Sequence, residues 1–187
     1  PASTPYQRYL MHELNADIYS GHNVRSTVFV EARSMYRADG PEELRPVGEV
    51  EFVQGLAAAS ASGVYGPARA AAAIVGHADL KLADKVAPVL DALQAASPNR
   101  FRGIRHNVSF NADPIFQDRE TEGIMADSRF REGAAVLSSK GMSLDIMLSF
   151  PQLPELADFA KSVPDLPIIL NHVGGVNRIG MYVGKEA

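Results

Sequence analysis

Apolar runs alternate with helical patterns along the chain, and this alternation predicts a parallel sheet. Each run is short and is bounded by glycine, proline or polar residues, which is typical of strands buried on both faces. The five runs are residues 24–32, 70–76, 101–105, 144–150 and 166–171. Strands that alternate with helices favour βαβ units. The sequence therefore predicts the α/β class, as a barrel or as an open doubly wound sheet.

Helices are predicted between these strands because apolar residues recur there at helical spacing. One runs from a cap at Thr4 and Pro5 to Ile18, and the others cover residues 49–61, 80–96, 130–140 and 153–163. Pro88 lies inside the third of these five helices, where a proline costs about 3 kcal/mol, so we expect a kink or a late start. Asp79 is expected to cap that helix. Residues 33–47, 107–129 and the glycine-rich tail are predicted loops.

The length and composition limit what this sheet can be. The 187 residues, 46% hydrophobic and 21% charged, suit a single domain over 1–187. A complete eight-stranded α/β barrel usually needs about 250 residues, so a barrel here would be incomplete. The N-terminal residue is Pro1, which fits a processed or truncated start.

Charge and residue usage exclude several classes of function. The net charge is −4 and arginine and lysine are scattered, which argues against a nucleic-acid partner. There is no cysteine, hence no disulfide, thiolate ligand or cysteine nucleophile. No apolar stretch is long enough for a membrane span, and no signal-peptide pattern is present. The expected location is the cytoplasm.

Polar side chains stand at four of the five predicted strand ends. They are Glu31, His77, the adjacent pair Arg105 and His106, and His172. Three of the five histidines of the chain belong to this set. Because the carboxyl ends of parallel strands meet at one edge of the sheet, we expect these side chains to lie together.

His172, Arg105 and His106 are the predicted catalytic residues. Alternation along Ile168, Leu170 and His172 places the imidazole of His172 at the carboxyl edge, where it could bind a metal or a substrate oxygen. A planar guanidinium at Arg105 suits a two-point grip on a carboxylate or lactone oxygen. The alternatives are a backbone-bonded histidine at 172 and a structural ion pair at 105.

Three further residues are predicted to bind substrate. Glu31 is flanked by apolar residues and needs a partner, so it belongs either to a site or to an ion pair. His77 is equally open to a site role and a structural role. Gln152, just after the fourth strand, is expected to donate hydrogen bonds to substrate. Asp145 lies early in its strand and is taken as structural.

Several cofactor and nucleophile motifs are absent from the sequence. There is no phosphate-binding GxxxxGK[S/T] loop and no strand-linked GxGxxG fingerprint, so no nucleotide cofactor is expected. The GxSxG elbow of many serine hydrolases and the helical HxxxH zinc pair are missing as well.

Five segments, taken in order, resemble one known family. They are VFVEA at 28–32, IVGHADL at 74–80, FRGIRH at 101–106, PQLPEL at 151–156 and LNHVGG at 170–175. Together they resemble the amidohydrolase-related family (amidohydrolase 2) of metal-dependent TIM-barrel hydrolases, in its lactonase-like branch. Its relatives include sugar-acid lactonases, a pyrone dicarboxylate hydrolase and aminocarboxymuconate semialdehyde decarboxylase.

The resemblance implies an incomplete (β/α)8 TIM barrel, with this chain supplying strands two to six. It makes His172 the family's late-strand histidine and the metal ligand if a divalent ion, zinc or manganese, is bound. It makes Arg105 the substrate-gripping arginine. The family's first-strand His-x-His would precede Pro1 and its final aspartate would follow Ala187, while Phe150 occupies a position where many relatives carry histidine.

The function implied is hydrolysis of a lactone, or of a related ester- or amide-like bond, in a small carboxylated or sugar-acid substrate. One alternative is a zinc-dependent decarboxylase of an unsaturated acid. Another is a non-catalytic binding or assembly fragment of such a barrel. The partners expected are a small-molecule substrate and, as an open option, further copies of the chain, with no nucleic acid and no membrane.

Overall fold

The strands form one parallel sheet whose order in space follows their order in the chain. The structure, a computed structural model, describes residues 8–113, 121–176 and 180–184. In this part of the chain the sheet order is β1-β2-β3-β4-β5, and every neighbouring pair is parallel. The strands are β1 Ser26–Val30, β2 Arg69–Gly76, β3 Phe101–Asn107, β4 Ser143–Met147 and β5 Ile168–Leu170.

A helix lies between each successive pair of strands. These four helices are α2 Val47–Ala61, α3 Ala87–Ala96, α4 Ser128–Ser139 and α5 Leu153–Ser162, and α1 Met11–Ile18 precedes β1. Short 3-10 turns lie at Glu42–Leu44, Leu80–Val86, Ile124–Ala126, Phe150–Gln152 and Gly180–Tyr182, and a single irregular turn at His172–Gly175. A doubly wound sheet would reverse its strand order at a switch point, and this sheet does not. The fold is an incomplete TIM-barrel type, as predicted.

The hydrophobic core lies between the sheet and its helices. Ile104, Leu144 and Ile146 on the sheet are fully buried, as are Phe130 of α4 and Phe159 of α5. Side chains alternate between the two faces of a strand, so the neighbours of these core residues point to the opposite face. We call that opposite face the inner face of the sheet, and it carries Arg105 and Asp145.

The predicted elements are present, with shifted ends that matter for the site. Strand β3 continues to Asn107, so Arg105 and His106 lie within the strand rather than at its end. Strand β4 ends at Met147, and Phe150 begins a 3-10 turn instead of closing the strand. Strand β5 ends at Leu170. The predicted start of the first helix at Thr4 and Pro5 lies outside the described residues.

The late helix start expected from Pro88 is confirmed. A 3-10 segment at Leu80–Val86 precedes α3, and Pro88 lies in the first turn of α3, where its missing N–H has no helical partner to lose. Asp79 accepts a hydrogen bond from the backbone N–H of Lys81 at 2.9 Å, which confirms its capping role. This cap directly follows the loop that carries His77.

Helix α4 approaches the start of the 3-10 segment Leu80–Val86, here called the Leu80 loop, so closely that only glycine fits at position 133. A Cβ added at Gly133 would lie 2.2 Å from the carbonyl oxygen of Leu80. We expect Gly133→Ala to lower the free energy of unfolding by about 1–3 kcal/mol, because the backbones must separate. Gly55→Ala in α2 is the matched control, since nothing lies within 4 Å of the added atom. That control is expected to gain up to about 1 kcal/mol from helix propensity.

Urea denaturation of the two variants tests this close approach. If Gly133→Ala and Gly55→Ala had the same unfolding midpoint, the contact between α4 and the Leu80 loop would not be as tight as described.

Candidate functional site

Arg105 reaches across the end of β2 to form a buried ion pair with Glu31. Its Nε donates to Oε1 of Glu31 at 3.0 Å, and its Nη2 donates to the carbonyl oxygen of Glu31. The side chains of Arg105 and Glu31 are 19% and 6% exposed. The structure therefore brings together two predicted site residues that are 74 positions apart, and it fixes the plane of the guanidinium.

Asp145 lies beside this ion pair on the inner face. It is the register partner of Arg105 across the β3–β4 ladder. The side-chain amide of Asn171 donates to its Oδ1 at 3.0 Å. Burial raises the pKa of the Asp145 carboxyl, while the Asn171 hydrogen bond and the charge of Arg105 act in the opposite direction. Asp145 was taken as structural from its sequence position, but the structure places it next to Arg105.

His77 and His106 form a second group at the carboxyl edge. Their ring centroids are 5.6 Å apart. Nδ1 of His77 lies 3.0 Å from the carbonyl oxygen of Arg105, and Nδ1 of His106 lies 3.3 Å from that of Ala78. A carbonyl oxygen can only accept, so each Nδ1 must carry the hydrogen. In the neutral ring each Nε2 is then an acceptor.

His106 is held neutral by its surroundings. It is 8% exposed and its ring packs edge-on against Phe130, at a centroid distance of 5.1 Å. Burial, and next the neighbouring His77, lower the pKa of His106 to about 4. The doubly protonated, cationic form of this imidazole is therefore disfavoured at neutral pH. His77 is the more exposed member of the pair.

A cleft of about 730 Å³ opens beside the two histidines. Its walls come from three segments: the loop after β1, the loop after β2, and the end of β3 with the segment that follows it. Charged side chains in the lining are Arg33, Arg45, Lys81, Glu42, Glu43 and Asp79. The size suits a small organic molecule.

Three buried polar atoms near the loop after β1 have no hydrogen-bond partner among the described residues. They are Oε2 of Glu31, Oε2 of Glu49 and the hydroxyl of Tyr36. Burial raises the pKa of Tyr36 to about 12, and the carboxylates of Glu49 and Glu31 contribute to the rise. Tyr36 is therefore a neutral phenol beside two carboxyl groups.

Gln152 ends the 3-10 turn that follows β4. It is 2% exposed. Its Oε1 accepts from the backbone N–H groups of Phe110 and Ser149, and its Nε2 donates to the carbonyl of Val108. Both ends of the amide thus hold two loops together, and the substrate-binding role of Gln152 stays a prediction.

His172 is not joined to the other predicted residues. It follows the end of β5, is exposed, and has a left-handed backbone with φ of +50°. The alternation expected from Ile168 and Leu170 therefore breaks before it reaches this side chain. The preceding residue, Asn171, is the one that contacts Asp145 on the inner face. The catalytic role of His172 stays a prediction.

The described residues do not form a metal site. No group of three or more histidine, aspartate or glutamate side chains is placed to hold an ion within residues 8–113, 121–176 and 180–184. His172 is therefore not part of a group of three such ligands in this part of the chain, and its metal role stays a prediction.

No helix in the described ranges is long and apolar enough to cross a membrane.

Polar side chains gather at the carboxyl ends of successive parallel strands. TIM-barrel enzymes have their active sites at this edge. A sequence profile of the amidohydrolase family matches residues 10–182. The chain belongs to the amidohydrolase family, which confirms the resemblance and supports a hydrolase.

Two curated proteins are similar to the chain. The uncharacterized protein y4mH of Sinorhizobium fredii is 32% identical over 136 residues, which are 72% of this chain and 42% of that protein. The L-fucono-1,5-lactonase of Burkholderia ambifaria is 28% identical over 149 residues, which are 74% of this chain and 48% of that enzyme. The chain therefore spans about half the length of the curated relatives it matches.

Two crystal structures of an amidohydrolase from Burkholderia multivorans are also similar. The one with bound zinc is 26% identical, with a TM-score of 0.49 over 67% of this chain and 38% of that chain. The one with bound HEPES is 21% identical, with a TM-score of 0.46 over 81% of this chain and 56% of that chain.

Proposed function

We propose that the chain carries part of the active site of a hydrolase that acts on a lactone, or on a related ester- or amide-like bond, in a small carboxylated or sugar-acid substrate. Family membership supports the hydrolase. The likeness to an L-fucono-1,5-lactonase supports the lactone. The reaction is the attack of water on the carbonyl carbon, which opens the ring and leaves a carboxylate and a hydroxyl.

The observation that carries this proposal is the unused nitrogen of Arg105. Glu31 takes up Nε and Nη2, while Nη1 has no partner among the described residues. Because the guanidinium is already held on one side, its free donor is oriented before a substrate arrives. A fixed cationic donor stabilises the negative charge that develops on a carbonyl oxygen under attack. It serves equally to hold a substrate carboxylate.

His77 adds an acceptor to the same edge of the sheet. Its Nδ1–H is taken by the carbonyl of Arg105, so in the neutral ring Nε2 is left as an acceptor beside the cleft. We assign it the binding of a substrate hydroxyl or of the attacking water. His106 stays neutral and supports His77 from the core side.

The test is a pH-stat assay of the natural full-length protein against sugar-acid and dicarboxylate lactones, with and without a chelator. We expect turnover by the unaltered protein. We expect Arg105→Lys to lower kcat/KM by about 100-fold, because a single ammonium group cannot reproduce the planar set of donors of the guanidinium. Arg131→Lys is the matched control, since Arg131 pairs with Asp158 and does not line the cleft.

Three outcomes of the assay bear on the proposal. Absence of turnover on every lactone would reject the lactone substrate and favour the decarboxylase or the binding fragment. Equal kcat/KM for Arg105→Lys and Arg131→Lys would remove Arg105 from the site. The variant His172→Ala, run beside them, decides whether that exposed histidine takes part, and chelator sensitivity decides the metal dependence.

A further inference from the structure

The loop that follows β1 is held in an unfavourable backbone conformation by a buried carboxylate. Arg33 and Met35 have φ values of +53° and +54°, in the left-handed region that favours glycine. Neither residue is glycine, so the surrounding structure must hold them there. Such a conformation persists only where neighbouring contacts enforce it, and at Arg33 those contacts are identifiable.

Glu49 supplies the restraint. This residue of α2 is 0% exposed. Its Oε1 accepts hydrogen bonds from the backbone N–H of Ala32 at 3.0 Å and from that of Ser34 at 2.9 Å, and from the hydroxyl of Ser34 at 3.1 Å. The two amides lie on either side of Arg33. The buried carboxylate of Glu49 thus holds the backbone on both sides of the exposed Arg33.

Gly48, the residue before Glu49, allows the loop to lie against α2. A Cβ at this position would lie 2.6 Å from the carbonyl oxygen of Met35 and 2.7 Å from the backbone nitrogen of Arg37. The far end of the loop is tied by a hydrogen bond of 2.9 Å from the N–H of Arg37 to the carbonyl of Arg45. Both arginines that line the cleft, Arg33 and Arg45, are therefore carried by one braced loop.

The cations of the cleft have no ion-pair partners in the described part of the chain. Arg33, Arg45 and Lys81 all line it, and none of the ion pairs found there includes them. Of the acids in the lining, Asp79 is engaged in capping the turn at Lys81. Glu42 and Glu43 share the turn Glu42–Leu44, where their carboxylates can accept from hydroxyl groups.

We propose that this cleft binds the carboxylate of a small hydroxylated acid, with Arg33 as its anchor and Glu49 as the residue that positions Arg33. Arg105 does not line the cleft but His77 does, so this proposal rests on the proposed function and names the carboxylate anchor of the same site. A chain that binds carboxylates here without opening any lactone would satisfy it, and a lactonase that binds none here would contradict it.

The test is a titration of the chain, followed by amide NMR shifts at low ionic strength, with D-gluconate, D-glucose and inorganic phosphate as separate probes. We expect gluconate to shift the amides of the loop after β1, and glucose to shift none. Arg33→Gln is expected to weaken gluconate binding about tenfold or more, in line with the loss of a charge-assisted contact. Arg25→Gln, at the opposite end of β1, makes the same change in charge and is expected to bind as the unaltered chain does.

Two further variants separate positioning from folding. Arg33→Gly relieves the left-handed strain, so its melting temperature is expected to be unchanged or raised while gluconate binding is lost. Glu49→Gln keeps the accepting oxygen and is expected to retain binding, whereas Glu49→Leu is expected to weaken it as Arg33→Gln does.

The proposal is overturned if gluconate and glucose behave alike, if phosphate alone binds, or if Arg33→Gln and Arg25→Gln have the same affinity. Loss of binding in Glu49→Gln, with a folded chain, would overturn the positioning role of that residue.

Discussion

Arg105→Ala is expected to lower the free energy of unfolding by about 3–5 kcal/mol at neutral pH. The variant removes the only partner that Oε1 of Glu31 has among the described residues, and Oε2 of Glu31 has none already. The Glu31 side chain is 6% exposed, so solvent compensates poorly for the lost guanidinium. A buried carboxylate left without its counter-ion is destabilising by more than the pair itself contributes.

Urea denaturation followed by circular dichroism measures this loss. Arg37→Ala is the matched control, because Arg37 and Glu51 form an ion pair whose side chains are 41% and 48% exposed. An exposed pair contributes about 1 kcal/mol or less. The double variant Arg105→Met with Glu31→Leu is expected to recover most of the stability, since it removes both charges. If Arg105→Ala cost no more than Arg37→Ala, the pair would not be buried as described.

Several residues of the carboxyl edge could be predicted because a polar residue follows, or closes, the apolar run of their strand. Glu31 and His77 each follow an apolar run, and Arg105 lies near the end of another, so one strand at a time was enough to place them. That they share an edge follows from the parallel arrangement alone. An ion pair was one of two options for Glu31 and for Arg105, but neither residue was predicted as the partner of the other.

The contacts of Asp145 and Arg33 could not be predicted because the signals for them do not lie in one segment. Asp145 faces Arg105 through the register of β3 against β4, which the pattern of a single strand does not contain. Arg33 depends on Glu49, which is 17 positions beyond Ala32 and reads as one more residue of an alanine-rich helix. An isolated acid in an otherwise apolar helix face was the available signal.

His172 and Gln152 show the effect of strand ends that differ from the prediction. Alternation places His172 at the carboxyl edge only if β5 continues to it, but β5 ends at Leu170 and the left-handed turn redirects the next side chains. Gln152 was placed just after a strand predicted to reach Phe150, whereas β4 ends at Met147 and the 3-10 turn Phe150–Gln152 directs the amide toward two loops. Irregular turns of this kind depend on tertiary contacts that local pattern does not record.

The stability of the chain is expected to fall by about 3 kcal/mol as the pH is lowered from 6.5 to 4, because of His106 alone. Its pKa is about 4 in the folded chain, whereas an unperturbed histidine titrates near 6.5. Between these values the unfolded chain binds a proton that the folded chain refuses, so the free energy of unfolding rises with pH in this window. The full contribution is present above about pH 6.5 and is lost as the pH falls through the folded-state pKa.

Asp145 acts with the opposite sign, which makes a matched variant necessary. Its pKa is raised in the folded chain, so its contribution is lost as the pH rises out of the acid range. The variant His106→Asn keeps a donor for the carbonyl of Ala78 but cannot titrate, and it is expected to flatten the slope between pH 4 and 6.5. His22→Asn, at an exposed position, is expected to leave the slope intact. Urea denaturation midpoints of both variants and of the unaltered chain at four pH values measure this slope. If stability depended on pH as steeply in His106→Asn as in the unaltered chain, other groups would govern the acid sensitivity of the fold.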